Sequence, residues 1–102
     1  MGLFGNKKQS KELPVIKGSD IMSSELAEKI ISVAGHKDYG IQATPYVSSI
    51  VDFAKSPDKE YTKKDKDLTA AIMGAGMLTK LEPDLAPLLN DAIAKYKEFK
   101  KK

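Results

Sequence analysis

Apolar residues recur at helical spacing in four segments of this chain, and no segment shows the strict alternation that predicts a β-strand. The first predicted helix runs from Ser24 to Ala34 and has one broad apolar face. Ser23 is its expected N-cap, because a serine hydroxyl accepts a hydrogen bond from a free backbone N–H of the first turn. Gly35 is expected to end it in the left-handed conformation that favours glycine.

The second predicted helix covers residues 45–55. It begins with the dipeptide Thr44-Pro45, in which threonine is the expected cap and proline occupies the first helical position. Its apolar positions lie on one side and its polar positions on the other. The dipeptide Ser56-Pro57 ends it, because the residue before a proline is driven away from helical geometry.

The third predicted helix, residues 63–81, lacks a polar face. From Leu68 to Thr79 every residue is apolar, small or uncharged, which is typical of a helix wrapped by others. Its alanines and glycines allow neighbouring backbones to approach closely. Gly74 and Gly76 each cost about 1 kcal/mol relative to alanine within a helix, so the pattern leaves open whether the helix is kinked or broken there.

The remaining signals concern the starts of the third and fourth helices. Thr62 and Asp65 have the spacing of a capping box at the start of the third helix. Asp84 is the expected N-cap of the last helix, and Pro87 falls within its first turn. The apolar stripe of that helix consists of Leu85, Leu88, Leu89, Ala92, Ile93, Tyr96 and Phe99.

These patterns predict an all-α fold, a compact bundle of about four helices with a central apolar third helix. Residues 1–18 are predicted to form a flexible basic N-terminal arm, since they lack helical periodicity. Within the arm, Leu13, Val15 and Ile16 are placed to pin its end to the core as a short extended piece. Residues 19–102 are predicted to form a single helical domain with a lysine-rich C-terminal end.

The net charge differs in sign between the two ends of the chain and the body between them. The chain carries 17 basic residues, all lysine, against 14 acidic ones. Residues 1–18 have a net charge of +3 and residues 94–102 a net charge of +4, whereas residues 19–93 have a net charge of −4. The absence of arginine disfavours sequence-specific DNA recognition, since arginine reads guanine and grips phosphate in two-point contacts.

The residues that commonly carry catalysis or hold metals form no recognisable pattern. The only histidine, His36, lies in a loop between a glycine and a lysine, with no nucleophile spaced to use it. The acidic stretch from Asp58 to Asp67 lacks the spacing of a calcium-binding loop and is interleaved with lysines. The chain has no cysteine, so thiolate metal sites are excluded. We therefore expect no catalytic residue, no cofactor and no metal.

Binding is the function class that the sequence favours, and its candidate residues lie at the two ends. The candidate contacts to an anionic partner are Lys7, Lys8, Lys11, Lys97, Lys100, Lys101 and Lys102. Leu3 and Phe4 precede the first lysines and are candidate membrane anchors, because apolar residues beside cations bind anionic bilayers.

The leading hypothesis is a non-enzymatic protein-interaction or structural module whose basic ends help it reach an acidic protein. The alternatives are sequence-independent nucleic-acid binding through the lysine tails and peripheral association with an anionic membrane. A cytoplasmic location is expected, or a membrane-peripheral one in the last case. The exclusive use of lysine is typical of AT-rich coding and indicates a bacterial, phage or mobile-element origin.

Overall fold

The computed structural model describes residues 14–101, and within them the predicted all-α bundle is confirmed. The helices are accompanied by one very small sheet. In chain order the elements are β1 (Val15–Lys17), α1 (Gly18–Ile21), α2 (Ser24–Ala34), α3 (Thr44–Ala54), β2 (Glu60–Thr62), α4 (Lys66–Leu81), a 3₁₀ turn (Pro83–Leu85) and α5 (Ala86–Lys100). No helix in this part of the chain combines the length and apolar character needed to cross a bilayer.

Helix α2 has the predicted bounds and the predicted N-cap. The Ser23 hydroxyl accepts a hydrogen bond from the Leu26 N–H over 3.2 Å. The prediction for Gly35 is wrong, since its φ of −69° is right-handed and its N–H bonds to the carbonyls of Ile30 and Ile31. The glycine that uses left-handed freedom is Gly40, with φ of 95°, in the loop that follows.

Two predicted caps at later helix starts are also wrong. Helix α3 begins at Thr44 itself, and the Thr44 hydroxyl donates to the Gly40 carbonyl over 2.6 Å instead of capping the helix. Asp84 caps nothing, because the chain first makes the 3₁₀ turn that contains it, and α5 begins only at Ala86. Pro45 lies in the first turn of α3, where its missing N–H breaks no helical bond.

The strand β1 confirms the extended piece expected at Val15 and Ile16, whereas β2 has no counterpart in the sequence prediction. β1 pairs antiparallel with β2 and sets Ile16 opposite Tyr61, so the end of the predicted arm is held against the bundle as an extended piece. Helix α4 begins at Lys66 and not at the predicted residue 63, because β2 and the turn after it occupy residues 60–65. Thr62 and Asp65 form half of the predicted capping box, since the Asp65 carboxylate accepts from the Thr62 N–H over 2.8 Å.

Helix α4 is the central element of the bundle and packs between α3 and α5. It runs unbroken through both glycines. The closest approach is at Gly74, whose Cα faces the Tyr46 carbonyl oxygen of α3. One side of α4 nevertheless reaches solvent, because Met73 is 52% exposed and Gly76 has open space beside it. The buried residues of α4 are Leu68, Ala71, Gly74, Ala75 and Leu78.

Candidate functional site

The start of the described chain and the last turns of α5 meet in one cleft of about 540 Å³. Its walls are Pro14, Val15, Ile16 and Asp20 on one side and Lys95, Glu98 and Phe99 on the other. The segment that carries Lys7, Lys8 and Lys11 joins the bundle at Pro14. The point at which the lysine-rich N-terminal segment joins the bundle therefore lies beside the last turns of α5, although Pro14 and Lys95 are 81 residues apart in the sequence.

Helix α5 presents its lysines to solvent because its apolar stripe faces the core. Phe99 is buried, as are Ala92 and Leu89, about two and three turns before it. Lys97, Lys100 and Lys101 are exposed, and their spacing of three and four places them on one side of the helix. We call these three lysines, with the chain junction at Pro14, the basic end. Cations at this position also stabilise the negative C-terminus of the helix.

The basic end keeps part of its charge unpaired. Lys101 lies 3.6 Å from the Glu98 carboxylate in an exposed ion pair, which contributes little stability. Lys97 and Lys100 make no ion pair with any residue of the described chain. The Lys100 ammonium lies 5.9 Å from the centre of the Tyr96 ring. Two cations, one of them beside an aromatic ring, are thus available to an external anion.

The other candidate contacts cannot be placed on this surface. Lys7, Lys8, Lys11 and Lys102 lie outside the described residues, and so do Leu3 and Phe4. They stay predictions from the sequence. His36 is exposed in the loop after α2, where it lines none of the clefts described here.

A second polar cluster fixes the loop of residues 35–43 to the end of α4. The Glu82 carboxylate accepts hydrogen bonds from the Lys37 ammonium and, over 2.8 Å, from the Tyr39 hydroxyl. Burial raises the pKa of Tyr39 to about 12, and the hydrogen bond to Glu82 adds to this rise. The hydrogen bonds from Lys37 and Tyr39 lower the pKa of Glu82 below its ordinary value of 4.5. No local pattern predicts this cluster, because Lys37 and Tyr39 lie 45 and 43 residues before Glu82.

The loop of residues 35–43, which is bonded to Glu82, exposes an isoleucine side chain to solvent. Ile41 is 92% exposed, the largest value among the large apolar side chains of the described chain. The turn before it is built by the Asp38 carboxylate, which accepts from the Gly40 N–H over 2.8 Å. This loop is ordered by polar contacts on both sides of an exposed apolar side chain.

The Glu82 cluster predicts a pH-dependent contribution to stability. Because the folded-state pKa of Glu82 is lowered, its contribution is present above about pH 4.5 and is lost as the pH falls through the folded-state value. Glu82→Gln should therefore reduce the free energy of unfolding at neutral pH, and its difference from wild type should shrink as the pH falls below 4.5. Urea unfolding measured at neutral pH and at a series of acidic pH values tests this. Asp84→Asn, at an exposed carboxylate nearby, is the control, and a Glu82→Gln deficit that stays constant with pH would contradict the assignment.

Comparison of the chain with protein-family models, with curated proteins and with solved structures gives no match. Among residues 14–101, no group of three or more histidines and carboxylates is arranged to hold a metal ion. The functional argument therefore rests on the charge and shape of the surfaces described above.

Proposed function

We propose that this protein is a non-enzymatic interaction module that binds an acidic protein partner through its basic end. The observation that carries the proposal is the position of the exposed lysines of α5 beside the cleft at which the chain enters the bundle, at Pro14. Neither terminus by itself distinguishes a binding surface from a solubilising tail. Because the lysine-rich segment of residues 1–13 is attached at this cleft, we expect its charge to add to that of α5 and to steer an oppositely charged partner into contact.

The shape of the cleft favours a protein partner over other polyanions. Val15 is half exposed at its edge, and the aromatic residue Phe99 lies in its wall. A protein segment with an apolar side chain for this edge, and carboxylates for the exposed lysines of α5 beside the cleft, would complement both surfaces. Lysine also acts as a point charge and lacks the two-point fork with which arginine grips phosphate.

Site-directed photo-crosslinking in the native host tests the proposal. A photoreactive amino acid replaces Ala94, which is exposed one turn from Lys97 and on the same side of α5. The matched position is Ser32, exposed on α2. We expect an acidic protein to be captured from position 94 and not from position 32. Equal capture from both positions would show that the contact is not made by the basic end.

Charge neutralisation supplies the second arm of the same experiment. Replacing Lys97, Lys100 and Lys101 with glutamine should abolish capture from position 94, because the substitutions remove the charges and leave Phe99 in the core. The control variant carries Lys55→Gln, Lys64→Gln and Lys80→Gln, three exposed lysines on other parts of the surface. Loss of capture in the control alone would contradict the proposal.

Sequence-independent nucleic-acid binding is the second candidate, and the pairing of Lys100 with the Tyr96 ring favours it, since bases stack on aromatic side chains. Each phosphate contact contributes about 0.9 to the slope of log affinity against log salt. If this candidate is right, Lys97→Gln with Lys100→Gln should lower the slope for duplex DNA by roughly two units. An unchanged slope would exclude the basic end as a nucleic-acid surface. Substitution is preferable to deletion of residues 97–102, because deletion removes the buried Phe99.

A further inference from the structure

A polar cavity of about 190 Å³ lies on another part of the surface, between the second half of α3, the strand β2 and the start of α4. It is separate from the basic end in its lining residues. Those residues are Ser49, Asp52, Phe53, Ser56, Lys59, Tyr61 and Asp67. Six of the seven carry a polar side-chain group.

Tyr61 supplies the first reason to regard this cavity as a binding site. Its side chain is only 3% exposed, and its ring packs on Phe53 with the centroids 5.1 Å apart. Its hydroxyl makes no hydrogen bond to any group in residues 14–101. A buried polar group is normally hydrogen-bonded, so this hydroxyl calls for a partner in the cavity. The tyrosine hydroxyl is neutral at neutral pH and can both donate and accept a hydrogen bond, and burial raises the pKa of Tyr61 above its ordinary value.

Lys59 shows which chemical group the cavity accommodates. Its ammonium lies 5.3 Å from the centre of the Tyr61 ring and 3.3 Å from the Asp67 carboxylate. An aromatic face and a carboxylate are the two contacts that a cation prefers. Asp52 brings a second carboxylate from α3, and it forms no ion pair within the described chain. Two carboxylates and one ammonium give the lining a net charge of −1.

We propose that this cavity binds a small primary ammonium group, held by the Asp52 carboxylate and the Tyr61 hydroxyl. Its volume corresponds to roughly six water molecules, which suits an ammonium on a short alkyl chain. This chemistry has two sources, a free alkylamine or the end of a lysine side chain on another protein. The proposal does not depend on the function proposed for the basic end.

Other occupants fit the lining less well. An anion would meet the carboxylates of Asp52 and Asp67, which outnumber the single ammonium. A metal ion needs several oxygen ligands at short distance, whereas the Asp67 carboxylate is already paired with Lys59. Bulk water could also supply the hydrogen bond to the Tyr61 hydroxyl, and a cavity filled with water would not prefer a cationic ligand to a neutral one. Water is therefore the alternative that the experiment has to exclude.

An NMR titration of the full chain tests the proposal, with n-butylammonium chloride as the probe. The neutral isostere n-butanol and sodium chloride are run in parallel. We expect saturable shifts of the backbone amides of Ser49, Ser56 and Tyr61 with butylammonium alone. Equal shifts with butanol, or the same shifts with sodium chloride, would show that the cavity holds only water and salt.

Three variants assign the contacts, and thermal melts confirm that each is folded. Asp52→Asn should weaken butylammonium binding about fivefold, as expected for one partly exposed charge pair. Tyr61→Phe should weaken it about tenfold, because it removes a hydrogen bond to a charged group and keeps the ring on Phe53. Lys59→Met should strengthen it about fivefold, since it removes the internal competitor for the ring and Asp67. Affinities that are unchanged in all three variants would overturn the proposal.

A control and a peptide arm complete the experiment. Asp91→Asn is the control, because it removes a carboxylate that is paired with Lys95 on α5, away from the cavity. It should leave butylammonium binding unchanged. If it weakened binding as much as Asp52→Asn does, the loss in Asp52→Asn would be an effect of the protein's overall charge and not of a contact in the cavity. Nα-acetyl-lysine methylamide replaces butylammonium in the second arm. Comparable binding of this compound assigns the cavity to a lysine side chain of another protein, whereas binding of butylammonium alone assigns it to a free amine.

Discussion

Gly74→Ala should destabilise the bundle strongly. A Cβ at this position would overlap the Tyr46 carbonyl oxygen and would lie 3.1 Å from the Ile50 Cβ. Both obstacles belong to α3, and the first is backbone, so it cannot turn aside as a flexible side chain can. Helices α3 and α4 would have to separate along their shared core. Overpacking of this kind typically costs 1–3 kcal/mol, and we expect a loss of about 3 kcal/mol.

Gly76→Ala, two positions further along the same helix, should have the opposite effect. A Cβ there would have no atom within 4 Å, and the backbone is helical. Alanine in a helix interior is more favourable than glycine by up to about 1 kcal/mol. The same chemical change in the same helix is therefore expected to change sign between the two positions.

Chemical denaturation of the two single variants measures this difference. A substantial fall in the free energy of unfolding for Gly74→Ala and a small rise for Gly76→Ala are the expected results. If Gly76→Ala were as damaging as Gly74→Ala, the side of α4 at Gly76 would have to be packed against something. If both changes were harmless, α3 and α4 would not approach closely at Gly74.

These two glycines also show how far the sequence predicts the fold. The run of small residues predicted a central helix with close neighbours, and both features are confirmed. Periodicity could not say which glycine makes the contact, because a helix that is apolar on every side has no marked face. It also predicted a helix wrapped all round, whereas Met73 is half exposed. The choice of buried side depends on the positions of α3 and α5, which local pattern does not contain.

The errors at helix ends have a different physical origin. Ser23 was predictable because capping is a local hydrogen bond between residues close in sequence. Gly35 was not, because a glycine after a helix can continue in right-handed geometry at no steric cost. The strand β2 was missed because three residues are too few to show an alternation. Its pairing with β1 joins segments more than 40 residues apart.

The candidate sites likewise combine local features, which the sequence shows, with contacts between distant residues, which it does not show. The charge of the two termini was evident in the sequence, and so was their candidate role as contacts to an anion. That the N-terminal segment joins the bundle beside α5 depends on the placement of β1, which no local pattern contains. The cavity at Tyr61 left no pattern in the sequence, because its lining comes from α3, the loop after it, β2 and α4. A site formed by residues that are distant in the sequence cannot be predicted from local patterns alone.

Ala75→Lys is expected to have the largest effect of any single change considered for this protein. Ala75 has no exposed surface, and it lies one residue beyond the contact between α4 and α3. A lysine there would have to bury an ammonium without a partner, which is among the few changes that cost more than about 4 kcal/mol. Because small domains have only about 5–15 kcal/mol of total stability, most of the helical circular dichroism signal should be lost or should melt at a much lower temperature.

Met73→Lys is the matched control, because it introduces the same charge two residues earlier on the exposed side of α4. Its melting curve should stay close to that of wild type, since the ammonium reaches water. Ala75→Leu separates charge from volume and should cost about 1–3 kcal/mol through overpacking alone. A melting temperature for Ala75→Lys as high as that for Met73→Lys would mean that α4 presents Ala75 to solvent. The central position of α4, on which the close contact at Gly74 also depends, would then be wrong.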